Sequence, residues 1–153
     1  MEKLTPSHLD ILRALQEDAT LTIEQLAEKT SVSHTTLWRR MKELEAANVI
    51  RGRVTLIDPE AVGVSVCAFV YVNIVSHDSK QRRDFEKLVA TTPEVMQCFS
   101  ITGPHDYILN IRVSDIKAYE MLLMDKILAH PSVASASSNI TLREHKFTTV
   151  LPI

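Results

Sequence analysis

The sequence has few of the features that mark membrane or secreted proteins. Its 153 residues include no run of about 18 apolar residues, so we predict no contact with a membrane. The opening stretch MEKLTPSHLD lacks the apolar core of a signal peptide, and we therefore expect a cytoplasmic location. A net charge of −2 argues against a uniformly basic protein that coats nucleic acid, so any such contact must come from a local patch.

Cysteine is scarce, with only two in the chain. Cys67 and Cys98 form neither a CxxC pair nor the spacing of a metal site, so we expect no metal and no cofactor. Each lies in an apolar run, which favours buried, reduced thiols over a redox role. No internal repeat, low-complexity segment or heptad array is present. The 45% hydrophobic and 24% charged residues suit one domain or two small ones.

Residues 22–45 carry the most informative pattern, two short helices joined by a turn. Thr22 and Gln25 fit a capping box at the start of the first, and Ser33 suits the N-cap of the second. In the second helix Leu37, Met41 and Leu44 form an inward stripe, which leaves a basic outer face. This pattern predicts a helix-turn-helix that binds duplex DNA. The residues expected to contact DNA on this helix are Ser33, His34, Thr35, Thr36, Trp38, Arg39, Arg40 and Lys42.

The distribution of charge supports DNA binding over an ordinary pair of helices with a solvated outer face. Residues 2–29 have a net charge of −3, whereas residues 34–53 have a net charge of +3. Phosphate binding needs such a local excess of cations. Trp38 points outward beside Arg39, where a large apolar ring is costly as plain surface and useful against a groove.

A helix before this pair and a hairpin after it would complete a winged domain. Thr5-Pro6-Ser7 is typical of a helix start. Apolar residues flank Arg51-Gly52-Arg53, which predicts a hairpin, or wing, with two arginines at its tip. We assign Arg51 and Arg53 to phosphate contacts. We therefore predict a winged helix-turn-helix DNA-binding domain over residues 1–57, followed by a linker over residues 58–65.

Residues 66–153 predict a second domain in which strands and helices follow the order β-α-β-β-α-β. The predicted strands are 66–75, 95–102, 107–113 and 133–142, with helices over 79–92 and from Asp115 to the residues before Pro131; the last residues have the composition of a further edge strand. The overall fold class is therefore α+β, with a ferredoxin-like second domain. Both faces of the first strand are largely apolar, whereas the helices cover only one. We therefore predict a homodimer formed through the sheet.

The order of these segments resembles the Lrp/AsnC family, the feast/famine transcription regulators of bacteria and archaea. The segment SVSHTTLWRRMKELE is similar to the family's recognition helix, and GRVTLIDPEAVG to its wing and hinge. The turn Gly103-Pro104-His105-Asp106-Tyr107 is similar to the turn that marks the family's effector-binding domain. The resemblance covers essentially the whole chain. It implies a transcriptional regulator that is not an enzyme, assembles from dimers into an octamer, and binds a small effector, usually an amino acid, where dimers meet.

The effector pocket implied by this resemblance combines the turn with the last strand of a neighbouring subunit. Gly103 allows close approach of a ligand, turn N–H groups suit a carboxylate, and Asp106 suits an ammonium group. The sequence departs from the family at Pro104, which has no N–H, and at His105, which replaces an aromatic residue and could sense pH or a metal. The expected effector-binding residues are Gly103, Pro104, His105, Asp106, Tyr107, Ser137, Asn139 and Thr141.

Two other functions remain open from the residues. One is an architectural protein that wraps DNA in the nucleoid without a ligand, and a glycine-proline turn with an aspartate is often only a hairpin turn. The other is an enzyme, because ferredoxin-like domains host many chemistries. No acids and histidines group into a nucleophile, base and orienting residue, which argues against the enzyme.

Overall fold

A computed structural model describes residues 4–76 and 78–153 of the chain. It divides the chain into two compact units. The first unit runs to Leu56 and also contains Lys146–Ile153, and the second is Ile57–His145. None of the helices in the described residues is long and apolar enough to span a membrane.

The first unit is built from three helices whose ends are set by local capping. They are α1 (Pro6–Glu17), α2 (Ile23–Thr30) and α3 (His34–Ala46). The predicted capping box is present at Thr22, where Thr22 N–H donates to Gln25 Oε1 at 2.9 Å and Gln25 N–H donates to Thr22 Oγ1 at 3.2 Å. Helix α3 ends where Asn48 takes a positive φ of 56°. The apolar stripes of the three helices bury one cluster around Ile11, Leu26 and Leu37.

The predicted hairpin around Arg51-Gly52-Arg53 is not formed, and residues 51–58 contain neither helix nor strand. A two-residue hairpin turn needs a positive φ, whereas Gly52 is not among the glycines with positive φ. The apolar residues Val54, Leu56 and Ile57 lie exposed along this segment. The wing is therefore a segment without regular secondary structure, and it carries two arginines.

The second unit contains one four-stranded sheet in which all neighbouring strands are antiparallel. The strands are β1 (Val66–Ile74), β2 (Val95–Ser100), β3 (Tyr107–Val113) and β4 (Val133–Ile140). Their order across the sheet is β2-β3-β1-β4, so the two strands that flank each helix in sequence are separated by a third strand. This confirms the predicted ferredoxin-like arrangement.

Helices α4 (Ser79–Ala90) and α5 (Ile116–Met121) contribute buried side chains to one core, and α5 continues as a π-helical segment (Leu122–Leu128). The fully buried residues of this core come from both layers and include Val70, Leu109, Ile111, Phe85 and Ile127. The other face of the sheet, called the open face here, carries the alternate residues of each strand. The edge strand predicted for the tail is wrong, because residues 141–153 contain no strand.

Asp115 caps α5, and this cap should make the stability of the protein depend on pH at the acid end of the range. Its Oδ1 accepts a hydrogen bond from Ala118 N–H at 2.8 Å. That bond, and then the Ser114 hydroxyl, lowers the pKa of the Asp115 carboxyl below its usual 3.8. A carboxyl whose pKa is lower in the folded state than in the unfolded state stabilises the fold at pH values above its pKa in the unfolded state. This contribution is lost as the pH falls through its pKa in the folded state.

We therefore predict that D115N loses less stability than the wild type as the pH falls from neutral through the usual aspartate range. The amide keeps an acceptor oxygen for the cap and has no proton to gain. Urea unfolding followed by circular dichroism at a series of pH values measures the difference. Parallel loss of stability in the two proteins would contradict this role of Asp115.

Candidate DNA-binding and effector sites

Helix α3 buries one face in its unit and leaves the other open. Leu37, Met41 and Leu44 are buried at the predicted spacing. At the helix start, Ser33 Oγ accepts from Thr36 N–H at 3.4 Å and donates to Thr36 Oγ1 at 3.0 Å. The preceding helix ends at Ser31, whose left-handed φ of 53° turns the chain between the two helices. The structure thus contains a helix-turn-helix whose second helix has a free outer face.

The residues predicted to contact DNA lie on that outer face or at the helix start. Trp38 is 60% exposed, a large apolar area for an isolated surface residue. Thr36 and Arg40 are half-buried. The remaining exposed members of the set are Ser33, His34, Thr35, Arg39 and Lys42. The face therefore combines an aromatic ring with hydroxyl and cationic groups, the residue types that contact base edges and phosphates.

Two of the cations on α3 are paired with acids of the same helix. Arg39 forms an ion pair with Glu43, and Lys42 Nζ lies 2.9 Å from Glu45 Oε2. Exposed pairs of this kind contribute at most about 1 kcal/mol each, so phosphates compete with them readily. Among the described residues, Arg40, Arg51 and Arg53 form no ion pair, and both Arg51 and Arg53 are exposed in the segment over residues 51–58.

The turn between β2 and β3 contains the second set of predicted site residues. Gly103 has a φ of 118°, a conformation that favours glycine. Asp106 ties this turn to the end of β1, because its Oδ2 accepts from Ile74 N–H at 2.9 Å and its N–H donates to Val72 O at 3.1 Å. An ammonium group at Asp106 would therefore share the carboxylate with a backbone donor.

The polar residues predicted on the last strand lie on the open face of the sheet. Ser137 is opposite Tyr71 and Asn139 is opposite Phe69 in the pairing of β4 with β1. Thr141 Oγ1 donates to the Cys67 carbonyl at 3.0 Å, so its hydroxyl is engaged by the fold. The open face near these residues thus presents aromatic rings with hydroxyl and amide groups.

Tyr107 lies in the core, away from the other predicted effector residues. Its ring is 4.7 Å from the Phe85 ring, and the residue is 4% exposed. Burial, and then the nearby Glu86 carboxylate, raise the pKa of the Tyr107 phenol. Burial likewise raises the pKa of the Cys98 thiol to about 11, so this thiol stays protonated at neutral pH and is a poor nucleophile.

Two residues of this region, Tyr71 and Asn73, were not predicted from the sequence. The Tyr71 ring lies 5.2 Å from the His105 ring, and Asn73 Nδ2 donates to Ser135 Oγ at 3.2 Å. The alternation of β1 places both on the same face as Phe69. That alternation was visible in the sequence and would have found them.

Comparison with known proteins matches both halves of the chain to one regulator family. Residues 4–51 match a winged helix-turn-helix DNA-binding model, and residues 67–151 match the Lrp/AsnC ligand binding domain. The glutamate uptake regulatory protein of Zymomonas mobilis is 35% identical over all of this chain and 93% of its own length. The DNA-binding transcriptional activator DecR of Escherichia coli is 33% identical over 94% of each chain.

Solved structures agree with these sequence matches. A transcriptional regulator from Neisseria meningitidis, solved in complex with L-Met, superposes with a TM-score of 0.92 at 37% identity, covering 98% of this chain and 97% of its own. The predicted fold class, a winged helix-turn-helix joined to a ferredoxin-like domain, is confirmed. The chain belongs to the Lrp/AsnC family of DNA-binding transcriptional regulators.

Proposed function

We propose that this regulator reads a specific duplex site with the outer face of α3 and that an amino acid bound at the open face of the second unit controls this binding. The observation that carries the proposal is the exposed face of α3, where Trp38 and Arg39 stand outward while Leu37 and Met41 are buried. A face used only for solvation has no need of a tryptophan that is 60% exposed.

The roles of the individual residues follow from their positions. We assign His34, Thr35, Trp38 and Arg39 to base edges, because they lie at the start and on the exposed face of the helix. We assign phosphate contacts to the remaining cations, which are Arg40, Lys42, Arg51 and Arg53. Ser33 and Thr36 fix the helix start and lie where a phosphate would meet it.

We predict that R39A weakens binding to the specific duplex more than binding to a scrambled one, by about 1–3 kcal/mol if Arg39 reads a guanine. The loss arises because a bidentate contact to a base edge has no equivalent on the wrong sequence. Fluorescence anisotropy with a duplex selected by the wild-type protein, and with its scrambled version, measures the two affinities. R40A is the matched control and should weaken both affinities by the same factor.

If R39A lost the same affinity on both duplexes, Arg39 would be assigned to the phosphate contacts. A wild-type protein that binds both duplexes equally, with a footprint that spreads evenly, would instead support the architectural alternative. Because Trp38 is the only tryptophan in the chain, quenching of its fluorescence on addition of DNA gives an independent test of where the duplex lies.

For the effector we propose a pocket formed by the turn at Gly103 and by the polar row of β4. Gly103, Pro104, His105 and Asp106 would meet the charged end of an amino acid, and Ser137, Asn139 and Thr141 would come from a neighbouring subunit. Tyr107 is left out of this pocket because its ring lies in the core. The relative solved with L-Met supports an amino acid as the ligand class.

We predict that one or a few of the twenty amino acids raise the melting temperature of the protein. A ligand at about 100 times its dissociation constant stabilises the native state by about 2.7 kcal/mol. Differential scanning fluorimetry across all twenty detects this increase. Without ligand, the variant S137A should melt at the temperature of the wild type, and with the ligand its melting temperature should not rise. A flat result across all twenty would contradict an amino-acid effector.

We also propose a homodimer formed through the open face, further assembly to an octamer, and a cytoplasmic location. The open face supports the dimer because it exposes Phe99 at 54%, whereas the helices of this unit bury their side chains against the other face. A DNA duplex as the partner supports the location.

A further inference from the structure

Glu43 lies between two side chains that belong to different helices. Its Oε1 pairs with the guanidinium of Arg39, one turn earlier on α3. Its Oε2 lies 3.4 Å from Nε2 of His8, which is on α1. The carboxylate therefore connects the outer face of α3 to a second helix of the same unit.

The His8 side chain is also bonded to the start of its own helix. Its Nδ1 accepts from Thr5 N–H at 3.3 Å, and Thr5 Oγ1 accepts from His8 N–H at 3.3 Å, which together form the capping box of α1. A backbone N–H donates only to an imidazole nitrogen that carries no hydrogen, so the ring hydrogen is on Nε2. Nε2 is buried, no hydrogen bond reaches it among the described residues, and Glu43 Oε2 lies 3.4 Å from it.

This arrangement differs from an ordinary pair on a helix surface. In the Lys42–Glu45 pair both side chains are long and exposed, so ordering them offsets most of the attraction. In the Arg39–Glu43 pair, one carboxylate oxygen lies 3.4 Å from an imidazole whose side chain is only 15% exposed. A buried neighbour on another helix leaves the Glu43 side chain fewer rotamers than an exposed one would, and it leaves the paired Arg39 guanidinium fewer positions.

We propose that Glu43, held by His8, is a positioning residue that presents the Arg39 guanidinium in the orientation needed to read a base. The inference rests on the proposed function, in which Arg39 contacts a base edge. An arginine ordered before binding loses less side-chain entropy on the correct site. Binding to random DNA depends on phosphate contacts and gains nothing from this order.

The carboxylate has a second, opposite effect that makes the proposal testable. Its negative charge repels the phosphates of every duplex alike, so its removal should raise affinity for random DNA. Positioning and repulsion therefore act on different quantities. Positioning sets the ratio of affinities for the selected and scrambled duplexes, whereas repulsion shifts both affinities together.

The experiment compares E43A and H8Q with the wild type on the selected and scrambled duplexes. Glutamine is a usual partner in a capping box, so H8Q keeps the cap of α1 and removes only the imidazole. We expect the ratio of the two affinities to fall about fivefold to tenfold in both variants, while E43A binds the scrambled duplex more tightly. E45Q is the matched control: it removes a carboxylate of α3 whose ion pair, with Lys42, lies within the same helix, and it should leave the ratio unchanged.

A double variant separates positioning from any general disturbance of α3. In an R39A background there is no guanidinium to position, so adding E43A should leave the ratio as it is in R39A alone. A general disturbance would lower the ratio in both backgrounds. Circular dichroism spectra and melting temperatures of all variants confirm that the helices are retained, and E43Q provides a milder replacement if E43A unfolds.

The result that overturns the inference is an unchanged ratio in both E43A and H8Q while the wild type discriminates between the duplexes. An additional loss on adding E43A to R39A would overturn it as well. Failure of the proposed function looks different, because the wild type itself would then bind the two duplexes equally.

Discussion

Replacing Phe85 with alanine is expected to lower the free energy of unfolding of the second unit by about 3–5 kcal/mol. Phe85 is fully buried, and its ring packs 4.7 Å from the ring of Tyr107 between α4 and the sheet. Removing it deletes the largest of the fully buried side chains and leaves a cavity that rigid strands cannot close. Since domains of this size are stable by about 5–15 kcal/mol in total, this loss is a large fraction of the stability of the unit.

Guanidinium chloride unfolding followed by circular dichroism measures this loss. F147A is the matched control, because the same atoms are removed from a residue that is 64% exposed in the tail. Its stability should stay within about 0.5 kcal/mol of the wild type. Equal losses in F85A and F147A would show that the layer between α4 and the sheet is not the core of this unit.

The parts of the fold that could be predicted from the sequence are those that depend on residues close together in the chain. Thr22 and Ser33 each cap a helix at the predicted place, and the helix predicted from Asp115 begins there, because a cap depends on a side chain and the N–H groups two or three residues later. The strand order followed from the alternation of segments, since a split βαβ unit has few alternatives.

The errors arose where distant residues or backbone geometry decide the outcome. The hairpin at Gly52 failed because apolar residues on either side of a glycine do not ensure a turn with positive φ. The helix predicted from Asp115 changes to π geometry at Leu122, so its residues do not keep one helical period, and nothing local in the sequence predicted this change.

At the candidate sites, the sequence predicted which face of α3 is buried and which is exposed. It did not predict the contacts between different helices and strands. Leu37 and Trp38 were assigned to opposite faces from spacing alone, and their burial agrees. The bond from Ile74 N–H to Asp106 joins residues 32 positions apart, and the contact of His8 with Glu43 joins different helices. No local pattern predicts contacts of this kind, because they depend on how whole elements pack.

We expect affinity for duplex DNA to fall by about 10³-fold or more between 50 mM and 200 mM salt. In the proposed dimer, Arg40, Lys42, Arg51 and Arg53 occur twice, which gives eight cations assigned to phosphates. Each contact releases counterions, so the slope of log affinity against log salt should be about −7. Anisotropy titrations on the scrambled duplex at several salt concentrations measure this slope.

The double variant R51A/R53A tests whether the segment over residues 51–58 supplies half of those contacts. Its slope should be shallower by about 3 to 4, and R53A alone should fall about midway. K117A/R143A removes the same charge from exposed residues of the second unit and should keep the wild-type slope.

A protein of net charge −2 has no overall attraction for DNA, so a steep slope that depends on Arg51 and Arg53 requires the cations to be concentrated on one face. If both double variants changed the slope equally, the contact surface would extend over the second unit, and the phosphate contacts would not be confined to the first.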